Sequence, residues 1–327
     1  MTEPQRVVVI GELSGAGPPG IERMEGRAEF IQVLDAASLH AALPGTEVVL
    51  MWDFRSSLLR NAMDRADSLR WVHVAGVGVD AAISPELQAR DIQLTNARGV
   101  FDRSIAETVA GWALVFAKDM LHSWQLQQAA TWQHRETEMV AGSTALLVGM
   151  GGIGREIART LRSLRIDVVG MATSERSDDE FGVIRAIDDF DEVLPLVDLV
   201  VLVVPLTDRT QGLIGATQLA SMRPTARLIN VGRGGLVDEA ALVNARRSGT
   251  IAGAALDVFA EEPLPADSPL WAMDNVIVSP HMSADFHGWL DALASQFMDN
   301  LDRWLDGEPL THVVDKRLGY VSAGEVS

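Results

Sequence analysis

The turn Gly149-x-Gly151-x-x-Gly154 constrains this chain more than any other segment. The apolar run Thr144-Ala-Leu-Leu-Val148 leads into it, and Ile153 and the helical pattern Arg155-Glu-Ile-Ala-Arg-Thr-Leu161 follow. Strand, glycine turn and helix in that order make a phosphate cradle. The first glycine permits the turn, the second lets backbone approach a pyrophosphate, and the third lets the helix pack against the strand. Gly149, Gly151, Gly152, Ile153 and Gly154 are therefore the candidate dinucleotide-binding residues. A turn of this kind usually opens its chain. Here most of the first 150 residues precede it, so another domain is built first, and 327 residues leave room for both.

The segments on either side support an α/β fold. Before the turn, Arg6–Ile10, Glu47–Trp52, Leu69–Ala75 and Asp91–Thr95 read as strands. Segments 35–43 and 56–67 read as helices, and Gly11–Gly20 reads as a loop. Residues 102–121 carry a long apolar-periodic helix with Asp102 as its expected N-cap. After Thr144, strands are expected at 144–149, 167–172, 199–204, 227–231, 251–257 and 275–279, with helices at 153–164, 189–194, 216–221 and 238–247. Strands alternating with helices indicate parallel, doubly wound sheets, and six such strands complete a dinucleotide-binding unit. A last helix carries Trp289, Leu293, Phe297, Leu301 and Leu305; it is expected to return to the first domain. The polar stretch 122–141, with Trp124 and Trp132 interleaved, suggests either a contact surface or packing on the protein's own body.

Composition narrows the function classes. The net charge of −18 leaves no basic surplus for a nucleic-acid groove, so an anionic substrate needs a local positive site. The absence of cysteine excludes disulfides, thiol catalysis and thiolate metal sites, and no metal is expected. Val7–Ile10 is too short for a signal-peptide core or a membrane span, and a cytoplasmic protein without a membrane partner is the simplest expectation.

The cofactor type is read about twenty residues past the turn, at the end of the second strand, where an acid bonds the ribose hydroxyls of NAD. That position falls on Ala172 in Asp167-Val-Val-Gly-Met-Ala-Thr-Ser-Glu-Arg176. Thr173, Ser174 and Arg176 are suited to a 2′-phosphate, which favours NADP over NAD. Glu175 cuts the other way, since it would repel that phosphate or serve NAD from a shifted register. Three further strand ends stand out: Asn230-Val-Gly-Arg-Gly-Gly235, Ala255-Leu-Asp-Val-Phe-Ala-Glu-Glu-Pro-Leu264 and Ser279-Pro-His-Met-Ser283. Strand C-termini line the ligand crevice of an open α/β sheet, so Arg233, Glu262 and His281 are expected to converge there. Singly, each has an ordinary role available as a surface ion pair, a solvated acid or a packed histidine.

Together these segments resemble a family, the D-isomer-specific 2-hydroxyacid dehydrogenases. The resemblance runs through Val74-Ala-Gly-Val-Gly-Val-Asp80, Asn96-Ala-Arg-Gly-Val-Phe101 with Ala106-Glu107, and Leu147-Val-Gly-Met-Gly-Gly-Ile-Gly154. It continues in Val204-Pro-Leu-Thr-Asp-Arg-Thr210, Ile229-Asn-Val-Gly-Arg-Gly234, Asp257-Val-Phe-Ala-Glu-Glu-Pro-Leu264 and Ser279-Pro-His281. It implies a Rossmann cofactor domain, 98–283, inserted in a flavodoxin-like substrate domain formed by 1–97 and 284–327. It implies NADP- or NAD-dependent reduction of a small 2-oxo acid to the D-2-hydroxy acid, with glyoxylate, hydroxypyruvate and larger 2-keto acids all open. In that scheme Arg233 binds the substrate carboxylate and polarises the 2-oxo group, His281 is the acid–base residue, and Glu262 is its partner. Pro205, Val231 and Asp257 lie at the cofactor, and Val77 and Gly78 offer backbone N–H groups to the carboxylate. A homodimer through 100–140 is also implied. A guanidinium and an imidazolium aimed at the carbonyl oxygen would stabilise charge as hydride arrives, and a carboxylate beside the imidazole favours its protonated form. Trp52, Phe54 and Arg55 match no general family pattern and are candidate pocket residues, with Trp132 and Met282 behind them. The competing reading is a dinucleotide-sensing, corepressor-like regulator on the same fold.

Overall fold

The computed structural model describes residues 3–11 and 18–320. The chain divides into two compact units, Met1–Phe101 with Phe286–Ser327, and Asp102–Asp285.

The N-terminal unit is built on a parallel sheet of β1 (Gln5–Ile10), β2 (Ala28–Val33), β3 (Val48–Met51), β4 (Trp71–Val74) and β5 (Gln93–Asn96). The order is β2-β1-β3-β4-β5, the flavodoxin-like arrangement. Its central strands are continuous apolar runs because helices cover both faces; Val7 to Ile10 and Val48 to Met51 are all buried. Helix α1 (Ala36–Ala42) starts where Asp35 accepts a hydrogen bond from Ser38 N at 2.7 Å, and α2 (Pro85–Ala89) starts at a Ser84 cap. The strand β2 is not expected from the sequence, because it is an edge strand with a largely half-exposed pattern. The helix expected over 56–67 is instead a short 3-10 segment, Arg60–Arg65. Of the expected loop Gly11–Gly20, residues 12–17 lie outside the described residues.

The C-terminal helix, Trp289–Asp306, belongs to this same unit. Aromatic packing holds it: the Trp71 ring stacks on Phe297 with centroids 5.4 Å apart and meets Trp304 at 5.7 Å. Leu293, Phe297 and Leu301 are fully buried, each worth about 1.5–3 kcal/mol of transfer free energy. His73 lies in the same cluster, 5.3 Å from Phe297, with Nδ1 2.8 Å from Thr95 Oγ1. Burial pushes its pKa from 6.5 down to about 3, and the neighbouring His312 adds to the shift.

The second unit begins with α3 (Asp102–Ala117) and α4 (Met120–Gln128). Asp102 is the first helical residue rather than the cap before it. The single helix expected over 102–121 is interrupted because Asp119 takes a left-handed conformation, φ 49°. The sheet then runs through β6 (Thr144–Val148), β7 (Asp167–Ala172), β8 (Arg176–Asp178), β9 (Gly182–Ala186), β10 (Leu199–Leu202), β11 (Arg227–Asn230), β12 (Gly253–Leu256) and β13 (Val276–Val278). Among them lie α5 (Gly152–Ser163), α6 (Phe190–Val193), α7 (Ala216–Ser221) and α8 (Glu239–Arg247). The order is β13-β12-β11-β10-β6-β7-β9-β8, parallel throughout except for β8 against β9. The short strand β9 and the polar edge strand β8 bring the sheet to eight strands, against the six expected. Strand order reverses between β6 and β10, the position at which doubly wound sheets open a ligand crevice.

Candidate active site and dinucleotide cradle

The glycine turn sits at that switch point, directly after β6. Gly149 has φ 114°, and a Cβ there would stand 2.6 Å from Val203 O; a Cβ on Gly154 would stand 1.8 Å from Gly149 O. Only glycines allow this turn and this approach of α5 to the strand. At Gly151 a Cβ would meet nothing within 4 Å, so open space lies at the start of the helix. α5 is twelve residues long and Gly151 offers no side chain to cap it. The N–H groups of a helix N-terminus that opens on free space at Gly151 fit a pyrophosphate. Below the turn Ile157, Ala158 and Leu161 are buried, which fixes the helix on the sheet.

The ribose end of the cradle is the end of β7, where Ala172 closes the strand. Thr173, Ser174, Glu175 and Arg176 are exposed, and the Arg176 guanidinium donates to Met150 O in the glycine turn at 3.2 Å. The β8–β9 hairpin is tied to α5 by Arg159, which donates to Glu180 at 2.7 Å; that hydrogen bond holds the Glu180 carboxyl below its usual range. Pro205 is half-buried after β10, with its carbonyl accepting from Thr210 Oγ1 at 2.8 Å, and Val231 is buried after β11.

Three neighbouring strands, β11, β12 and β13, carry the polar groups at their carboxyl ends. After β11, buried Asn230 latches the loop: its Nδ2 donates to Arg233 O at 2.9 Å, and its Oδ1 accepts from Gly232 N at 3.1 Å. The half-buried Arg233 donates to Gly232 O at 2.7 Å. The residue after it must be glycine, because a Cβ on Gly234 would stand 1.9 Å from the Phe259 carbonyl carbon. That contact brings the Arg233 loop against the segment that follows β12.

Asp257, which is 1% exposed, closes β12. Its Oδ1 accepts from Ser279 Oγ at 2.6 Å and from Met282 N at 2.9 Å, and its Oδ2 from Ser283 Oγ at 2.5 Å. Ser283 O in turn accepts from Ser104 and Thr108 on α3, each at 3.2 Å. This frame holds His281 at φ 53°, with its N–H donating to Asp257 O at 2.8 Å. A left-handed residue other than glycine costs about 1–3 kcal/mol and persists only where its surroundings impose it. The His281 Nδ1 lies 2.7 Å from Glu262 Oε2, and Glu262 Oε1 accepts from Phe259 N at 3.0 Å. A carboxylate accepts only, so Nδ1 carries the hydrogen and Nε2 is left to hold or give a second proton. Both side chains remain partly exposed, His281 at 24% and Glu262 at 28%.

The structure thus brings Arg233, Asp257, Glu262 and His281 to adjoining strand ends of one sheet. Asn230 latches the Arg233 loop, as Asp257 latches the His281 turn; a buried polar residue at the end of an apolar strand is the signal that marks it. In the N-terminal unit, Val77 and Gly78 are half-buried just past β4, with Val77 O accepting from Asn96 Nδ2 at 2.7 Å. Trp52 is fully buried and belongs to the core, which removes it as a pocket-lining residue. Phe54 packs against Gly76, the Arg55 guanidinium lies 5.2 Å over the Phe54 ring, and Trp132 and Met282 are exposed.

A doubly wound unit with a glycine cradle at its switch point, and a histidine–carboxylate pair at neighbouring strand ends, is the arrangement of a dinucleotide-binding oxidoreductase. Comparison with known proteins gives the family. Residues 110–283 match the family model described as D-isomer specific 2-hydroxyacid dehydrogenase, NAD binding domain. The chain is 34% identical over 263 residues to a glyoxylate reductase of Thermofilum pendens, covering 78% of each. It is 33% identical over 264 residues to glyoxylate/hydroxypyruvate reductase B of Yersinia enterocolitica, covering 78% of this chain and 80% of that one. Among solved structures it is similar to the NADPH-dependent glyoxylate/hydroxypyruvate reductase of Sinorhizobium meliloti in complex with NADP and sulfate. That match has a TM-score of 0.82 and 28% identity, covering 97% of this chain and 100% of the other. The chain belongs to the D-isomer-specific 2-hydroxyacid dehydrogenases and is an NAD(P)-dependent enzyme of that family. Among the described residues no helix is long and apolar enough to cross a membrane, and no cluster of His, Asp and Glu is arranged to hold a metal ion.

Proposed function

We propose that the protein reduces a small 2-oxo acid of the glyoxylate or hydroxypyruvate type to the D-2-hydroxy acid, with NADPH preferred over NADH. The observation that carries this reading is the His281–Glu262 pair, 2.7 Å apart at the end of β13, beside the loop that presents Arg233. A nicotinamide held by the glycine cradle would supply the hydride for the 2-oxo carbon. His281 Nε2 gives a proton to the oxygen, and Glu262 keeps the ring oriented through Nδ1. The Arg233 guanidinium binds the anionic substrate and stabilises the charge that develops on that oxygen, in an otherwise acidic protein. Asp257 holds the His281 turn. In the N-terminal unit, the backbone N–H groups of Val77 and Gly78 are assigned to the substrate carboxylate.

The NADPH preference is supported by Ala172 at the end of β7, by exposed Thr173, Ser174 and Arg176 after it, and by the NADP-bound relative. The homodimer through 100–140 is supported by side chains left exposed on that stretch, Trp124 at 62%, Trp132 at 99% and Met139 at 72%; sedimentation velocity tests it. The same reading places the enzyme in the cytoplasm, which cell fractionation checks. The decisive experiment is a steady-state panel of 2-oxo acids with each cofactor. Oxidation of NADPH dependent on glyoxylate or hydroxypyruvate is the expected outcome. Tight cofactor binding without turnover on any 2-oxo acid would instead favour a sensory role.

A further inference from the structure

The open N-terminus of α5 has a carboxylate beside it. Asp102 begins α3, and a Cβ built on Gly152 would stand 2.8 Å from Asp102 Oδ2, so this oxygen lies against the first residue of α5. Asp102 is only partly exposed and is placed by α3, whose Ile105, Ala106 and Val109 are buried. The next residue on α3, Arg103, pairs with Glu107 at 2.7 Å and Glu156 at 3.1 Å. A helix N-terminus attracts negative charge from any source. The same first turn that fits a pyrophosphate therefore also attracts the Asp102 carboxylate, and the two anions repel each other.

We propose that Asp102 is an affinity-setting residue that competes with the dinucleotide pyrophosphate for the start of α5. In the cofactor-free chain its charge stabilises the helix terminus. When dinucleotide binds, the carboxylate must withdraw or bear the repulsion, so binding is weaker and release faster than the glycine cradle alone would give. Fast release matters because product release, rather than chemistry, limits turnover in many enzymes. The proposal rests on the NAD(P)-binding reading of the cradle.

The experiment measures dissociation constants of Asp102→Asn and Asp102→Ser for NADPH, NADH and adenosine 2′-monophosphate, by fluorescence or calorimetry, and the melting temperature without ligand. Both variants should bind NADPH and NADH on the order of tenfold more tightly, as expected for removing one unit charge a few ångströms from a pyrophosphate. The gain should shrink as salt is raised to about 0.5 M, because screening weakens the repulsion in the wild type. Adenosine 2′-monophosphate, which has no pyrophosphate, should bind all three proteins alike. The ligand-free melting temperature should fall, opposite in sign to the gain in affinity, which a merely structural residue would not produce. Unchanged or weaker dinucleotide binding by both variants, in a wild type that binds NADPH, would overturn the proposal and leave the cofactor reading intact. Failure of all three proteins to bind either dinucleotide would overturn both.

Discussion

Lowering the pH from about 7.5 to about 5 should cost the N-terminal unit about 2 kcal/mol through His73 alone. The imidazole lies within the sheet, against Phe297 and Trp71, and its folded pKa is about 3 against 6.5 for the free group. Between those values the unfolded chain holds a proton that the folded chain does not, so stability rises with pH across the window. The contribution is complete above the unfolded value and is lost progressively as pH falls toward the folded one. At about pH 5 the unfolded imidazole lies about 1.5 pH units below its pKa, which at 1.36 kcal/mol per unit gives about 2 kcal/mol. His312, whose pKa burial also lowers, acts in the same direction. His73→Phe removes the titrating group while keeping a ring in the aromatic cluster, and Thr95 Oγ1 still accepts from Trp71 Nε1 at 2.9 Å. Urea unfolding, followed by tryptophan fluorescence at both pH values, measures the difference. The wild type should lose about 2 kcal/mol more than the variant on acidification. An identical pH dependence in the two proteins would show that His73 is not held neutral by its surroundings, and the reasoning would fail.

Changes at the catalytic pair and at the cofactor strand test the remaining assignments. His281→Ala should lower kcat by about 10²–10⁴ while NADPH binds within about twofold of wild type, and near-normal turnover would remove His281 from the proton-transfer role. Arg233→Ala should raise KM and lower kcat together, and Arg233→Lys should not restore both, since an ammonium lacks the planar fork; a kcat left unchanged would exclude polarisation of the carbonyl. Ala172→Asp should shift the NADPH/NADH preference toward NADH by about tenfold, and an unaltered ratio would place the ribose contact elsewhere on the β7 end.

Much of the fold was readable because parallel sheets bury strands on both faces, so that Val7–Ile10, Val48–Met51, Ala145–Val148 and Leu199–Leu202 are plain apolar runs. The edges were not. β2 mixes polar and apolar residues along one edge, β8 is wholly polar at another edge, and its neighbour β9 buries only Ile184, so their sequences look like loop. The break in the helix after Ala117 was equally hidden, because Asp119 is an ordinary helix residue by composition and only its left-handed backbone ends the run.

At the site, the chain by itself determined which chemical groups are present and at which strand ends they stand. The glycine spacing specified a turn of the phosphate-cradling type, and the motifs around Arg233, Glu262 and His281 supplied a cation, a carboxylate and an imidazole at strand ends. Tertiary structure decided what local sequence does not encode. It buried Trp52, one of three candidate pocket residues, and packed Phe54 beneath Gly76. It used Asp257 and Asn230 as latches, since only the folded sheet brings the Ser279–Ser283 turn onto one carboxylate and the Arg233 loop onto one amide. It also carried Asp102 from the start of one helix to the start of another. Side chains distant in sequence meet only when strands and helices pack. Charge competition at the cradle is therefore a property of that packing, whereas the cradle itself is a property of consecutive residues.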